Sequence, residues 1–321
     1  MAEARVALIG VGAMTQRVHL PSLSSFPDVR LVGMCDLDQA RLTAVADQYA
    51  VEGRYSDYRT MVDELAPDGV YAVGQPHLMY DVWVWCLRNG LNLYVEKPLG
   101  LTLHQAEVLT QLAEDAGVTT QVSFQRRTSP LLTRLHRRCT ERGPLTHAVC
   151  EFFKADQRPF TAARDRMLDD CVHAIDTVRW MCAGEVVEVE SHCRRVGVPD
   201  INWITATLRF DSGAVGLVTT SWSSGRRVFR VQMHGQGIAC DADAEGEAVV
   251  HADGERVERT DAVTAAGSEE FHVYGGFRNK NREFVDSLLS GRERTSSPFR
   301  DGLRTMRVAE QILAQAVLRG Q

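Results

Sequence analysis

The stretch Ala-Leu-Ile-Gly-Val-Gly-Ala-Met-Thr, residues 7–15, joins an apolar run to a segment of helical composition. Its pattern is Gly-x-Gly-x-x-Thr, a dinucleotide-binding fingerprint in which threonine replaces the third glycine. Gly10 permits the tight turn, and Gly12 lets the backbone approach a pyrophosphate at the helix amino terminus. Thr15 is bulkier than the glycine expected for close helix-to-strand packing, so it weakens the match. The stretch predicts the first strand-to-helix unit of a doubly wound parallel sheet.

An acidic residue follows at the distance that this fingerprint requires. Asp36 ends the second predicted strand, 21 positions after Thr15, about where an acid binds the adenosine ribose hydroxyls. An anionic Asp36 repels a 2′-phosphate, so the sequence favours NAD over NADP. Arg41 lies further along the chain and softens that preference, which leaves NADP open. The alternative is that Asp36 only caps the following helix.

Apolar strands alternate with helical segments through the first third of the chain. The strands are expected at 5–10, 30–36, 69–73, from 93 towards Lys97, and 119–124, and the helices at 13–25, 39–49, 57–65, 79–88 and 102–116. Such alternation is typical of an α/β domain with a doubly wound parallel sheet, the Rossmann arrangement.

The composition changes after Phe124. Strand-like runs at 148–153, 186–196, 203–210, 214–222 and 228–234 are interrupted by one strong helical segment. This pattern predicts an α+β domain with a large, mainly antiparallel sheet. Residues 252–269 are expected to form a long loop, and helices are expected at 279–289 and 301–318. Since 321 residues exceed what one core usually holds, we predict two domains, 1–123 and 124–321.

The composition narrows the function classes. With 44% hydrophobic and 24% charged residues the chain has an ordinary globular composition, and a net charge of −6 argues against general binding to nucleic acid or anionic membranes. It contains neither a signal-peptide apolar region nor a membrane-spanning run, so a cytoplasmic location is expected. Eight cysteines without Cys-x-x-Cys favour reduced thiols. Since His136-x-x-Cys139 and His147-x-x-Cys150 are not recognised zinc patterns, no metal site is expected.

A lysine follows one of the predicted buried strands. The sequence Leu-Tyr-Val-Glu-Lys-Pro-Leu, residues 93–99, ends its strand at Pro98, which has no N–H for a ladder. Ligands of parallel α/β sheets bind beyond the carboxyl ends of the strands, where Lys97 is expected. Only three of the 36 basic residues are lysines, so Lys97 is a candidate for chemistry that needs a compact ammonium group. The alternative is a solvated lysine at a turn.

The helical segment that interrupts the second domain carries further polar groups. Asp169 and His173 are four residues apart and share a helix face, and Asp176 lies three residues beyond on nearly the same face. Carboxylates beside an imidazole orient it and favour its protonated form, which suits an acid/base histidine. The alternative is a capping aspartate beside a partly exposed histidine.

These motifs together resemble the Gfo/Idh/MocA oxidoreductases, the family of glucose-fructose oxidoreductase and inositol dehydrogenase. The resemblance rests on Gly10-x-Gly12, Glu96-Lys97-Pro98, Asp169-x-x-x-His173-x-x-Asp176 with Trp180, and the segments 122–127 and 284–287. It implies an NAD(P)-binding domain joined to a substrate domain whose open sheet commonly forms homodimers or homotetramers. Thr15, Tyr80 and Cys171 depart from the family pattern.

The resemblance also implies a site. Lys97 and His173 are expected as the acid/base pair at a secondary alcohol or ketone of a sugar, nucleotide sugar or cyclitol, with Asp169 as the third catalytic residue. The residues expected to contact the dinucleotide are Gly10, Gly12, Ala13, Met14, Asp36, Arg41, Pro76, Glu96, Lys97 and Arg126. Those expected to contact substrate are Lys97, Arg127, Lys154, Arg158, Asp169 and His173. Two alternatives remain: an NAD-dependent glycosidase, and a dinucleotide-binding regulator without catalysis.

The substrate class depends on side chains near that helix. Arg158, Arg164 and Arg166 precede the helix and could pair with the phosphates of a nucleotide sugar, or form only a solvated basic loop. Trp203 or Trp222 could stack on a sugar face, although a tryptophan buried in the sheet is more frequent.

Overall fold

The computed structural model describes residues 3–160 and 165–319. The chain divides into two compact units, each described by itself below. The first runs through Gln125 and also includes Phe271–Leu303, and the second comprises Arg126–Glu270 and the chain from Arg304.

Fourteen strands occur in the described residues. They are β1 (Ala4–Ile9), β2 (Val29–Cys35), β3 (Gly53–Tyr55), β4 (Gly69–Ala72), β5 (Leu93–Val95), β6 (Thr120–Val122), β7 (His147–Ala155), β8 (Val186–Arg194), β9 (Trp203–Phe210), β10 (Val215–Ser221), β11 (Ser223–Gly235), β12 (Ile238–Asp243), β13 (Glu247–Ala252) and β14 (Glu255–Asp261). They form one sheet in each unit.

The helices in the described residues follow the same chain order. They are α1 (Leu20–Ser24), α2 (Gln39–Gln48), α3 (Tyr58–Leu65), α4 (Pro76–Arg88), α5 (Leu103–Ala116), α6 (Pro130–Thr140), α7 (Val172–Cys182), α8 (Ala262–Ala266), α9 (Phe271–Tyr274), α10 (Phe277–Ser290) and α11 (Phe299–Leu318). Two π-helical turns, Thr15–His19 and Met167–Cys171, lead into α1 and α7, and a 3₁₀ turn covers Gln125–Thr128.

The sheet of the first unit is parallel throughout. Its strand order is β3-β2-β1-β4-β5-β6, which confirms the doubly wound prediction. The edge strand β3 was not predicted, because three residues are too short to show an apolar period. Aspartate or threonine side chains cap α2, α3 and α5 at Asp38, Asp57 and Thr102.

Part of the carboxy-terminal chain completes the core of this unit. Phe284 and Val285 of α10 are fully buried in it, and the Phe284 ring lies edge-on to Tyr71 and Tyr94, with centroids 5.4 and 5.7 Å away. The predicted division placed all of 124–321 in the second domain, whereas Phe271–Leu303 groups with the first unit. The reason is that a sheet face needs apolar cover, and α10 supplies it from far along the chain.

The sheet of the second unit is mainly antiparallel, as predicted. Its order is β14-β13-β12-β11-β7-β10-β9-β8, and β7 and β10 form its parallel pair. The expected loop at 252–269 is wrong, because β14 and α8 occupy most of it. Asp253 and Gly254 both have positive φ, the geometry of a tight hairpin turn. The edge strand β14 is largely exposed, so its polar composition concealed it.

Helix α7 packs on β7 and β10 of this sheet. Gly216 of β10 makes room for it, since a Cβ there would clash with Val178 of α7. This packing fixes the helix that contains His173 and follows Asp169. The sequence interpretation did not include α6, which packs against β11 and β12.

Three further features concern the chemical class of the chain. All eight cysteines are buried, and none forms a disulfide. Residues 3–160 and 165–319 contain no cluster of three or more His, Cys, Asp or Glu side chains arranged to hold a metal ion. In the same residues no helix combines the length and the apolar character needed to span a bilayer.

Candidate active site

The fingerprint turn of the first unit follows β1. Gly10 has φ +88°, and a Cβ there would clash with the carbonyl oxygen of Val73, so only glycine fits. A Cβ on Gly12 would meet no protein atom within 4 Å. Ala13, which is exposed, and Met14 begin the helical segment that follows. The backbone is thus open at Gly12, where a pyrophosphate is expected to approach.

Thr15 has a structural role that the sequence did not indicate. Its hydroxyl donates a 2.7 Å hydrogen bond to the carbonyl oxygen of Gly10, and the residue is fully buried. The departure from glycine therefore adds a bond that holds the turn closed.

Asp36 links this turn to the end of β2. Its carboxylate accepts hydrogen bonds from the backbone N–H of Val11 at 2.8 Å and of Asp38 at 2.9 Å, and from Nη2 of Arg41 at 2.7 Å. Burial opposes its ionisation, but the bonds from Arg41 and the backbone outweigh burial and lower the pKa of Asp36. The capping alternative is wrong, because Asp38 caps α2 through the N–H of Arg41.

A cleft of about 340 Å³ opens beside the turn. Gly10, Gly12, Asp36, Arg41 and Gln75 line it. Tyr58 and the exposed side chains of Leu37 and Leu78 add an apolar surface. Pro76 is buried and forms the first residue of α4. An apolar cleft with one fixed carboxylate and an open glycine backbone fits the adenosine and pyrophosphate of a dinucleotide.

The Glu96-Lys97 pair follows β5. Glu96 is buried, and its Oε1 lies 2.9 Å from Nε2 of His19, so its side chain points into the interior. It does not line the cleft just described. Lys97 is half-buried, and its peptide bond to Pro98 is cis.

In the second unit, Asp169 and His173 stand out by exposure. Among residues 166–179, all of which the structure describes, these two are half-buried and every other residue is buried. Asp169 lies in the π-helical turn Met167–Cys171, and His173 in the first turn of α7. Their common exposure agrees with the predicted shared face, and the helix changes from π to α between the two residues. Single π-helical turns are frequent at functional sites.

Asp176 belongs to a buried network. Its carboxylate accepts hydrogen bonds from Nε of Arg127 at 2.8 Å and from the Thr305 hydroxyl at 3.0 Å. Thr305 in turn accepts one from Nη1 of Arg179. Asp176, which we expected to flank His173, thus holds α7 in place together with Arg127, a predicted substrate contact.

Arg126 is placed in the same unit as Arg127. Its guanidinium lies over the Phe229 ring at 4.4 Å, and Nη2 donates to Glu245 at 2.6 Å. Glu245 also accepts from Arg227. Burial opposes ionisation of Glu245, but the two arginines outweigh it and lower the pKa of this carboxyl to about 2.

The remaining predicted substrate residues differ in environment. Nζ of Lys154 lies 2.5 Å from Oδ2 of the buried Asp170, and 30% of the Lys154 side chain is exposed. Arg158 is 86% exposed and pairs with Asp156. Arg166 is buried and pairs with Asp200, so it is a core residue. Arg164 lies outside the described residues.

The two tryptophans also differ. Trp222 is buried, and its Nε1 donates to Asp170 at 3.1 Å, which supports the alternative of a core residue. Trp203 is half-buried on β9, with Arg194 over its ring at 5.8 Å.

Sequence reasoning missed His19, Asn281 and Glu245. His19 contacts both Glu96 and Asn281, which are distant along the chain. The available signal for His19 was its position between the apolar Val18 and Leu20, within the helix expected at 13–25. Asn281 and Glu245 gave no such signal.

Known proteins share this architecture. Residues 4–124 match the model of an oxidoreductase family with an NAD-binding Rossmann fold. Residues 148–238 match the model of the GFO/IDH/MocA C-terminal domain. The chain belongs to the Gfo/Idh/MocA oxidoreductase family. Membership confirms the expected oxidoreductase class, and the matched first domain confirms NAD as the cofactor.

Individual Gfo/Idh/MocA relatives are distant. The chain is 26% identical over 234 residues to scyllo-inositol 2-dehydrogenase (NAD(+)) of Bacillus subtilis strain 168, covering 69% of this chain and 68% of the relative. A dehydrogenase from Chromobacterium violaceum superposes with a TM-score of 0.89 at 22% identity, over 100% of this chain and 97% of that one. A levoglucosan dehydrogenase in complex with NADH and levoglucosan superposes with a TM-score of 0.83 at 18% identity, over 98% of this chain and 97% of that one. At these identities the solved structures show the fold alone.

Proposed function

We propose that this Gfo/Idh/MocA oxidoreductase transfers a hydride between NAD and a secondary alcohol or ketone of a sugar, nucleotide sugar or cyclitol. The observation that carries the proposal is the shared exposure of Asp169 and His173 in an otherwise buried helical segment. A carboxylate and an imidazole that remain accessible in such a segment suit acid/base work on a bound hydroxyl. The named activities of the inositol and levoglucosan dehydrogenases support the substrate class.

The proposed mechanism assigns one role to each group. His173 removes the proton from the substrate hydroxyl, while Lys97 donates a hydrogen bond to that oxygen and stabilises developing negative charge. Asp169 orients the substrate and keeps His173 in the useful tautomer. Bound NAD supplies the hydride acceptor. Lys97 belongs to the first unit and His173 to the second, so their joint action is part of the proposal.

The cofactor contacts follow from the cleft. We expect the pyrophosphate to approach the open backbone at Gly12, and Asp36, which lines the cleft, to accept hydrogen bonds from the adenosine ribose. We favour NAD over NADP because Asp36 is ionised and already holds Arg41. Among the predicted substrate contacts we retain Lys154, whose side chain remains partly exposed.

We also propose a homodimer or homotetramer built on the sheet of the second unit. Helix α7 covers one face of this sheet. Along β10 an exposed side chain alternates with buried residues, since Leu217 is exposed and its neighbours Gly216 and Val218 are buried. The exposed side chains of such a strand lie on the face opposite to α7. Light scattering of the purified protein measures the state directly, and a monomer would contradict this part of the proposal.

The test is turnover followed by nicotinamide absorbance, with NAD or NADP and a panel of inositols, free sugars and nucleotide sugars. In the parent we expect turnover with one of these groups. Lys97→Ala is expected to lower kcat about a hundredfold or more, with little effect on the Kd of NAD, because it removes transition-state stabilisation. The control Arg209→Ala changes an exposed arginine on β9 and should leave kcat unchanged.

Other outcomes would redirect the proposal. Unchanged kcat in Lys97→Ala would contradict the role of this lysine. Sugar cleavage with retained NAD and no net NADH would point to the glycosidase alternative. Silence across the panel, with NAD still bound, would favour a regulator.

A further inference from the structure

His19 and Glu96 form a buried polar pair, and Glu96 directly precedes Lys97 in the chain. His19 is fully buried, and its Nε2 lies 2.9 Å from Oε1 of Glu96, whose side chain is 10% exposed. The other ring nitrogen, Nδ1, lies 3.2 Å from Oδ1 of Asn281. Both nitrogens of the imidazole therefore face an oxygen atom.

The Asn281 contact determines where one proton lies. Nδ2 of Asn281 donates a 2.7 Å hydrogen bond to the backbone carbonyl of Phe277, which can only accept. This bond orients the amide, so its oxygen, also an acceptor, faces His19. Nδ1 of His19 must therefore carry a hydrogen.

The Glu96 contact then requires a second proton. A neutral imidazole with hydrogen on Nδ1 has a lone pair on Nε2, and an ionised carboxylate offers only lone pairs. Two lone pairs would face each other at 2.9 Å inside the protein. A proton on Nε2 of His19 or on the carboxyl of Glu96 removes this conflict. Either placement gives the pair a net charge of zero.

The surroundings make the unprotonated pair costly. The imidazole is enclosed by the rings of Tyr71, Tyr94 and Phe277, with centroids 5.8, 5.2 and 6.4 Å away. Burial raises the pKa of both tyrosines well above the ordinary value, so they are uncharged. An unpaired carboxylate in such a pocket would be destabilising.

The charged groups of α10 near the pocket have partners of their own. Arg282 pairs with Asp28 and Asp286, and Glu283 pairs with Lys280. The extra proton is therefore the direct way to give the Glu96 carboxylate a hydrogen-bonded partner. Lys97 is the next residue in the chain.

We propose that His19 and Glu96 share one proton, and that this pair, with a net charge of zero, fixes the backbone after β5, which makes His19 a positioning residue for Lys97. The positioning rests on the proposed function of Lys97, whereas the shared proton does not. The pair ties the π-helical turn Thr15–His19, which begins at the end of the fingerprint, to the end of β5.

The first experiment locates the proton in the full-length protein at neutral pH. Nitrogen-15 histidine labelling reports both ring nitrogens of His19, assigned by loss of the signals in His19→Gln. Carbon-13 glutamate labelling reports the Glu96 carboxyl, assigned by its loss in Glu96→Gln. A protonated Nδ1, with either a protonated Nε2 or a protonated Glu96, supports the shared proton. An unprotonated Nε2 together with an ionised Glu96 overturns it.

The second experiment tests positioning. In Glu96→Gln the new amide donates to Nε2 of His19, as the shared proton did, whereas Glu96→Leu offers no donor. We expect Glu96→Leu to lower kcat about tenfold or more, because small displacements of a catalytic group are costly. The loss should appear in kcat and not in the Kd of NAD, and Glu96→Gln should restore most of it. Equal losses in the two variants would overturn the positioning role.

A third readout does not depend on turnover. Since the chain has only Lys97, Lys154 and Lys280, nitrogen-15 lysine labelling gives three backbone amide signals. The Lys97 signal is expected to move in Glu96→Leu and to stay near its parent position in Glu96→Gln. If the parent shows no turnover, the proposed function fails, and this signal still decides whether the pair positions Lys97. An unmoved Lys97 signal in Glu96→Leu overturns the positioning role. If Glu96→Leu does not fold, a displaced Lys97 signal in Glu96→Gln overturns it instead.

Discussion

At the scale of single residues, one carboxylate joins three parts of the cofactor cleft. Asp36 receives hydrogen bonds from the fingerprint turn through Val11, from its own loop through Asp38, and from Arg41. Because the Arg41 side chain is held by this carboxylate, its charge is not free to attract a phosphate. We therefore expect cofactor preference to depend on the pair Asp36 and Arg41 and not on the acid alone.

Replacing Asp36 separates the two parts of that pair. In Asp36→Ala the ribose loses an acceptor and Arg41 is released. We expect the Kd of NAD to rise about tenfold, as for loss of a charge-assisted hydrogen bond, and the Kd of NADP to fall. Cofactor fluorescence titration measures both constants.

The double variant Asp36→Ala with Arg41→Ala is the matched control, and it should lose the gain in NADP affinity. A ratio of NAD to NADP affinity that stays constant in Asp36→Ala would contradict this interpretation of the pair.

At the scale of elements, the turn after β1 separates two uses of glycine. Gly10 is required by the protein itself, because its φ is positive and a Cβ would clash with Val73. Gly12 is not required by the protein, because space around its position is open. We therefore expect one glycine of the fingerprint to serve folding and the other to serve ligand approach.

Two alanine variants test this division. Gly12→Ala should leave Tm within about 2 °C of the parent while raising the Kd of NAD about tenfold or more, since the methyl group occupies the approach of the pyrophosphate. Gly10→Ala should lower Tm clearly, because strain and clash act on the folded state without ligand. Thermal melting without cofactor and titration with NAD give both values, and each variant is the control for the other. Equal loss of Tm in both would refute the separation.

The helix that contains His173 also depends on its packing partners. Met167–Cys171 is a π-helical turn and the rest of the helix is α, while Asp176 and Arg127 pair beneath it. The sequence spacing indicated a shared face for Asp169 and His173, and their common exposure agrees with it. The change of helix type was not predictable, because it depends on how the two parts pack on the sheet.

At the scale of the whole molecule, the response to acid depends on carboxylates that are paired with arginines in the folded state. Glu245 accepts hydrogen bonds from Arg126 and Arg227, and its pKa falls from the ordinary 4.5 to about 2. A carboxyl with a lowered pKa in the folded state stabilises the protein above pH 4.5, and this contribution is lost as the pH falls towards 2.

We therefore expect Glu245→Gln to lower Tm at pH 7, with a difference from the parent that shrinks as the pH falls below about 4.5. Melting curves between pH 7 and about 3 measure this difference. The control Glu255→Gln changes an exposed glutamate of β14 and should match the parent throughout. A difference that stays constant or grows in acid would show that Glu245 does not act through its charge.

Much of the fold and part of the site could be predicted from local patterns. The doubly wound sheet, the antiparallel second sheet and the Gly10-to-Asp36 fingerprint depend on periodicity and short spacings, which the chain displays directly. The loop expected at 252–269 failed because an exposed edge strand has a polar composition. Arg127 was expected at substrate but is buried against Asp176, since a sequence does not reveal which charges pair in the interior.

The sequence by itself determined the order of the elements, the dinucleotide turn and the selection of Lys97, Asp169 and His173 as candidate residues. Each of these depends on neighbours within a few residues. Only the tertiary structure decided that Phe271–Leu303 belongs with the first sheet, that Thr15 closes the turn, and that His19 faces Glu96. The second group depends on which side chains share a buried environment. Burial makes unpaired polar groups costly, so partners are selected by proximity in the folded chain and not by separation along it.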